Sequence, residues 1–125
     1  MEKFTWGVAA VGLIGLIGLS ASPATADPAK VEGATAKRVG DSWSFSVTLS
    51  HGDTGWDDYA DGWRVVSPDG TVLGLRELLH PHVNEQPFTR SLSGVSIPVG
   101  TTTVFIEART NVEGWSEARF EMTLE

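Results

Sequence analysis

The amino-acid sequence predicts an all-β protein, an antiparallel β-sandwich of immunoglobulin or fibronectin-III-like type with about seven strands. Three observations support this fold class. Apolar and polar residues alternate in several stretches, as they do on a strand with one buried face. Turn-forming residues such as proline, glycine, asparagine and aspartate separate these stretches at short intervals. No stretch after residue 26 sustains the helical spacing of about 3.6 residues between apolar positions.

Residues 1–26 have the organisation of a secretory signal peptide. Lys3 provides a short basic start, an apolar run of about 12 residues follows at 8–19, and the segment ends in small residues that a signal peptidase accepts. A bilayer-spanning helix needs about 20 apolar residues, so the run is too short for an anchor. We expect cleavage before Asp27 and one domain at 27–125 that is periplasmic or secreted, without membrane insertion. The chain contains no cysteine, so neither a lipid-modified cysteine nor a disulfide is expected.

Three stretches carry the clearest alternation. In residues 42–50, large apolar side chains at every second position alternate with serine and threonine. The same period of two holds in residues 102–109 and 115–124. Each stretch is therefore predicted to be a strand with one face turned to the core.

Weaker strand patterns lie between turn signals. The Ser-Pro-Asp-Gly sequence at 67–70 favours a tight turn, because proline presets the φ angle and glycine accepts a positive one. Connections this short favour antiparallel pairing, since parallel strands need long crossovers. The remaining strands are predicted at 30–38, 62–66, 71–79 and 88–97.

The charge of the chain excludes some partners. The formal net charge is −7, and no run of basic residues offsets it. Such a chain is not expected to bind nucleic acid or an anionic membrane surface, which are negatively charged themselves. Acidity favours cations or basic partners, although it also keeps a small domain soluble.

Four runs of polar and aromatic residues stand out: SHGDTGW at 50–56, YADGW at 59–63, HPH at 80–82 and QPFTRS at 86–91. In these runs the chain resembles small exported bacterial β-sandwich proteins of unassigned function. The resemblance implies no activity, cofactor or ligand set. The chemistry of the site must therefore be read from the residues themselves.

All three histidines lie where predicted strands end. His80 and His82 are two positions apart, so on an extended backbone their side chains project to the same side. Two imidazoles in this arrangement can chelate Cu(II) or Zn(II), and His51, with Asp53 or Glu85 as an oxygen ligand, could complete the site. The alternative is structural, because a His-x-His pair is common in loops, where a histidine can bond a backbone carbonyl.

The loop before Trp63 combines carboxylates with aromatic rings. Trp56, Tyr59, Asp57 and Asp58 can form a platform in which the rings stack on a sugar or a partner's side chain and the carboxylates accept hydrogen bonds. Calcium is another candidate ligand of these carboxylates, but their spacing does not match an EF-hand. Trp63 itself is expected in the core, and Trp56 could equally hold the loop against the domain.

The sequence contains no signature of an enzyme. No serine lies in a Gly-x-Ser-x-Gly turn, and no glycine-rich loop is suited to hold a phosphate. We therefore predict a non-enzymatic exported β-sandwich that binds a ligand through its loops, with Cu(II) or Zn(II) as the most specific candidate. The competing hypothesis is an interaction module of the cell envelope that contacts a protein or glycan without metal. Convergence of His51 with His80 and His82 would favour the first hypothesis, and a flat exposed patch around Trp56 and Tyr59 the second.

Overall fold

The computed structural model describes residues 27–125, which form an all-β domain of eight strands. The predicted signal peptide, residues 1–26, lies outside the described residues. Within residues 27–125, no helix is long and apolar enough to cross a membrane. In chain order the strands are β1 Lys30–Val39, β2 Ser42–Ser50, β3 Ala60–Val66, β4 Val72–Glu77, β5 Phe88–Val95, β6 Thr103–Thr110, β7 Gly114–Trp115 and β8 Phe120–Thr123.

The strands form two antiparallel sheets. One sheet has the order β1-β2-β5, and the other has the order β4-β3-β6, with β7 and β8 both paired to the far side of β6. Apolar residues of both sheets belong to a single buried cluster. Two antiparallel sheets that share one core confirm the predicted β-sandwich.

The predicted strand at 115–124 is divided in two, and this division accounts for the eighth strand. In β7 Trp115 pairs with Arg109, whereas in β8 Phe120 pairs with Ile106, so the register shifts by two residues between them. The intervening residues bulge out of the ladder. An edge strand tolerates such a bulge because only one of its sides is hydrogen-bonded.

The core follows the predicted alternation. In β2 and β6, every second side chain is buried. Trp63 on β3 is fully buried, as expected for the core tryptophan. Complete burial of a large apolar side chain stabilises the fold by about 1.5–3 kcal/mol. Other fully buried side chains are Phe45, Phe88, Leu49 and Ile106.

One end of the sandwich carries all of the candidate binding residues. Each strand runs antiparallel to its hydrogen-bonded neighbours, so β2, β4 and β6 end at this end of the domain and β3 and β5 begin there. Four segments meet there: residues 27–29 before β1, the β2–β3 loop 51–59, the β4–β5 loop 78–87 and the β6–β7 turn 111–113. We call these four segments the loop end.

Two leucines test the position of the core. Leu49 is 0% exposed and Leu79 is 72% exposed. We expect Leu49→Ala to lower the free energy of unfolding by about 2–5 kcal/mol, because it leaves a cavity between the sheets. The same change at Leu79 should shift it by no more than about 0.5 kcal/mol. Chemical denaturation of both variants measures the difference, and equal losses would contradict this core.

Candidate functional site

The buried carboxylate of Asp53 holds the loop end together. Its side chain is fully buried. Oδ1 accepts hydrogen bonds from His51 Nδ1 at 2.6 Å and from the Ala60 backbone N–H at 3.0 Å. Oδ2 accepts a hydrogen bond from the His82 backbone N–H at 2.8 Å. A buried charge needs such partners, and here they connect the β2–β3 loop, the start of β3 and the β4–β5 loop.

Nδ1 of His51 bonds Asp53, and Nε2 faces Asp27 and Asp58. Its side chain is fully buried. Nε2 lies 2.9 Å from the carbonyl oxygen of Asp27, 3.3 Å from Asp27 Oδ2 and 3.6 Å from Asp58 Oδ1. One donor atom from each of Asp27, His51 and Asp58 lies within 4.8 Å of the other two. We call these three residues the His51 cluster.

The oxygen atoms around His51 favour its charged form. Burial alone lowers the pKa of His51, but the hydrogen bond to Asp53 and the negative charges of Asp27, Asp53 and Asp58 outweigh it. The pKa of His51 is therefore raised above the usual 6.5. Both ring nitrogens face oxygen acceptors, which only an imidazolium can satisfy by donating from each.

His82 has the opposite environment. Its ring stacks on Phe88, with the ring centroids 3.9 Å apart and the planes 10° from parallel. Arg90 Nη2 lies 2.8 Å from His82 Nε2 and donates to it, which requires a free lone pair on that nitrogen. Burial, followed by the charges of Arg90 and His80, lowers the pKa of His82 below 6.5. His82 is therefore held as the neutral imidazole.

The other two predicted metal ligands of the β4–β5 loop lie near His82. The exposed ring of His80 is centred 4.7 Å from that of His82, and the planes are tilted by 38°. The side chain of Glu85 is 62% exposed, and its Oε1 lies 3.4 Å from Arg90 Nη2. The predicted set of five is thus arranged as two groups, His51 with Asp53 and His80 with His82 and Glu85. Ligation of one ion by all five stays a prediction.

The predicted aromatic platform is partly assembled. The rings of Trp56 and Tyr59 meet edge to face with centroids 5.6 Å apart, and Trp56 is 64% exposed. Asn111 fixes the loop, since its Nδ2 donates to the Trp56 carbonyl and its Oδ1 accepts from the Tyr59 N–H, both at 2.9 Å. Asp57 is exposed, whereas the half-buried Asp58 faces His51. Partner binding by these four predicted residues stays a prediction.

Asp27 was missed as a candidate ligand, although the sequence carried a signal for it. It lies 24 positions from His51, and the two meet because β1 pairs with β2 with Lys30 opposite Ser50. The turn at Gly40 pairs Val39 with Ser42, and a bulge between Val31 and Gly33 shifts the register by one residue to bring Lys30 opposite Ser50. Pairing the two predicted strands around their turn would have placed residue 27 near His51.

Comparison with known proteins reveals one partial similarity. No protein-family model matches the chain, and no solved structure matches it. Over 71 residues the chain is 48% identical to a Halomicrobium mukohataei protein named "Putative lipoprotein". The match covers 57% of this chain and 34% of that protein, so this chain spans about a third of the relative's length. The relative's name states no activity, which agrees with the resemblance to proteins of unassigned function. The resemblance to bacterial proteins in particular stays a prediction.

The hydrogen bonds of Asp53 predict a large stability loss when its charge is removed. In Asp53→Asn, an amide nitrogen must replace one carboxylate oxygen and face a donor, and His51 loses its countercharge. We expect the free energy of unfolding to fall by about 3–5 kcal/mol. Asp57→Asn, an exposed matched control, should change it by no more than about 0.5 kcal/mol. Urea denaturation tests this, and similar values for the two variants would rule out the structural role of Asp53.

The two histidines predict opposite pH dependences of stability. The raised pKa of His51 gives stability that is fully present below pH 6.5 and is lost as the pH rises through the folded-state value. The lowered pKa of His82 gives stability that is present above pH 6.5 and is lost as the pH falls towards the folded-state value. Their combined contribution to the free energy of unfolding should peak near pH 6.5 and decrease on both sides.

Single variants separate the two contributions. His51→Gln should remove the decrease on the alkaline side, and His82→Gln the decrease on the acidic side. His80→Gln, at an exposed histidine of the same loop, should leave both slopes in place. Denaturation across the neutral pH range measures them, and a His51→Gln profile parallel to that of the unmodified protein would contradict the assignment.

Proposed function

We propose that this protein is an exported, non-enzymatic β-sandwich that binds a divalent transition metal ion, Zn(II) or Cu(II), at the His51 cluster. The observation that carries the proposal is the position of His51 Nε2, 3.3 Å from Asp27 Oδ2 and 3.6 Å from Asp58 Oδ1. A tetrahedral ion with bonds of about 2.1 Å keeps its ligands about 3.4 Å apart. The two distances from His51 Nε2 match this separation, and the two carboxylate oxygens lie within 4.8 Å of each other.

The orientation of His51 supports the same proposal. Metal-binding histidines usually donate their second ring N–H to a carboxylate, which fixes the ring and makes the ligating nitrogen more basic. Asp53 accepts that bond from His51 Nδ1. Asp53, predicted as an oxygen ligand, would act as the orienting carboxylate, and Asp58, predicted as a partner-binding residue, would supply an oxygen ligand together with Asp27.

The charges around His51 indicate what binding requires. Two carboxylates neutralise a divalent cation, and a mixed nitrogen and oxygen donor set suits zinc and copper. A metal at Nε2 must displace the proton that His51 donates to the Asp27 carbonyl oxygen. Binding would release this proton and strengthen as the pH rises.

Export is supported by two independent features. The order of residue types in 1–26 is that of a secretory signal. The Halomicrobium mukohataei relative is named as a lipoprotein, which suggests an envelope protein. We infer a periplasmic or secreted location, where zinc or copper would be available to the His51 cluster.

A second candidate function is an interaction module of the envelope. It is favoured by exposed apolar side chains from three segments of the loop end: Trp56, Leu79, Val83 and Val112. Exposed apolar groups gathered at one end of a sandwich can contact a protein or a glycan. In this reading, His51 and its carboxylates only hold the loops in place.

Thermal unfolding with and without Zn(II), Cu(II), Ni(II) and Ca(II) tests the metal proposal. A ligand at 100 times its dissociation constant adds about 2.7 kcal/mol to the stability of the native state, which raises Tm by several degrees. We expect this shift with Zn(II) or Cu(II), and a larger shift at higher pH.

Matched variants identify the ligands. Asp58→Asn should abolish the Tm shift, whereas Asp57→Asn, one residue away and exposed, should retain it. The His80→Ala/His82→Ala double variant should retain it as well. A shift lost only in the double variant would restore the predicted ligand set, and no shift with any ion would overturn the metal proposal in favour of the interaction module.

A further inference from the structure

A small cavity beside the β4–β5 loop has an unusual lining for so acidic a protein. Its volume is about 100 Å³, and it is lined by Arg76, Leu78, Leu79, His80, His82 and Arg90. The chain carries a formal net charge of −7. Within residues 27–125, this lining nevertheless contains two arginines and two histidines and no carboxylate.

Arg76 is held in place without having its charge neutralised. Its Nε donates to the Ser91 carbonyl oxygen at 2.8 Å, and Nη1 donates to the Glu77 carbonyl oxygen at 2.7 Å. These bonds fix the guanidinium between β4 of one sheet and β5 of the other. Within the described part of the chain, Arg76 forms no ion pair with a carboxylate, whereas Arg64 and Arg109 form close ones. Arg76 therefore presents a positioned and uncompensated positive charge.

Arg90 adds a second guanidinium group to the same cavity, and the ring of His82 forms part of its wall. Arg90 bonds the Thr89 carbonyl oxygen at 2.6 Å and His82 Nε2 at 2.8 Å, while its only carboxylate neighbour within residues 27–125, Glu85, lies at 3.4 Å. Because Nε2 of His82 accepts a bond, its ring proton lies on Nδ1. Nδ1 is buried and has no hydrogen-bond partner within residues 27–125. This N–H is closed off from the cavity, so the donors available to a ligand there are those of the two guanidinium groups.

We propose that this cavity binds a single small oxyanion, such as phosphate or sulfate, through the guanidinium groups of Arg76 and Arg90, beside the ring of His82. Guanidinium groups form strong charge-assisted bonds with the oxygens of such anions. A cavity of about 100 Å³ has room for a group larger than one water molecule, such as a tetrahedral oxyanion. The same arginines disfavour a metal cation at His80 and His82.

The oxyanion site does not depend on the proposed metal site. The two sites involve different side chains, and opposite charges surround them. The anion can be free, or it can be a phosphate or sulfate group carried by a larger ligand. Titrations with inorganic phosphate, inorganic sulfate and a simple phosphate monoester distinguish these sources.

Titration of the protein followed by NMR tests the proposal, at constant ionic strength set with chloride and with a metal chelator present. We expect saturable binding at one site, with the largest shifts at Arg76, His82 and Arg90. Affinity should fall at least tenfold in Arg76→Gln. The matched control is Arg38→Gln, because Arg38 is exposed and its Nε also bonds a carbonyl oxygen, that of Gly40.

A second pair of variants keeps the test valid if Arg76→Gln fails to fold. Leu79 lines the cavity and is 72% exposed, so a new side chain there need not disturb the core. Leu79→Glu, which places a negative charge at the opening, should abolish binding, and Leu79→Gln should retain it. Phosphate binding that is absent, unsaturable, or equally strong in Leu79→Glu and Leu79→Gln would overturn the proposal.

Discussion

The loop end depends on one buried carboxylate. Asp53 accepts hydrogen bonds from the His51 ring, the Ala60 backbone and the His82 backbone, so one charge fixes two loops that each connect one sheet to the other. The β4–β5 loop contains two prolines, and residues 78–87 form no strand in this structure. It is therefore held by its polar contacts more than by a ladder of its own. A buried carboxylate is retained only where donors surround it, and here those donors define the site.

The two buried histidines show how the same side chain acquires opposite properties. His51 faces carboxylates and a carbonyl oxygen, so its positive form is favoured. His82 faces Arg90 and the aromatic ring of Phe88, so its neutral form is favoured. Asp53 lies between them and bonds both residues. The loop end thus presents an acidic environment suited to a cation next to a basic one suited to an anion, within a protein of strong negative charge.

The sequence predicted which polar side chains of the loops matter, but only some of their contacts. The sequence directed attention to His51, Asp53, His80 and His82, since the histidines all lie where predicted strands end and imidazole and carboxylate groups can bind a metal. It offered a shared metal ion as one hypothesis, because two histidines at alternate positions share a side of an extended backbone, and a structural role as the other. The structure adds Arg90, which lies eight positions from His82 and bonds its Nε2. It also brings in Asp27, which reaches His51 only through the β1–β2 pairing.

Alternation of apolar residues acts through local backbone geometry and burial, so it was enough to predict the fold class, the approximate positions of the strands and the buried faces of the three clearest ones. Trp63 in the core and the strand Ser42–Ser50 follow from that pattern alone. Only the tertiary structure decided the strand order, the division of the last strand, and the partners of each histidine. Those outcomes depend on register shifts and on contacts between residues far apart in the chain, and no local pattern encodes which charged group will face which ring.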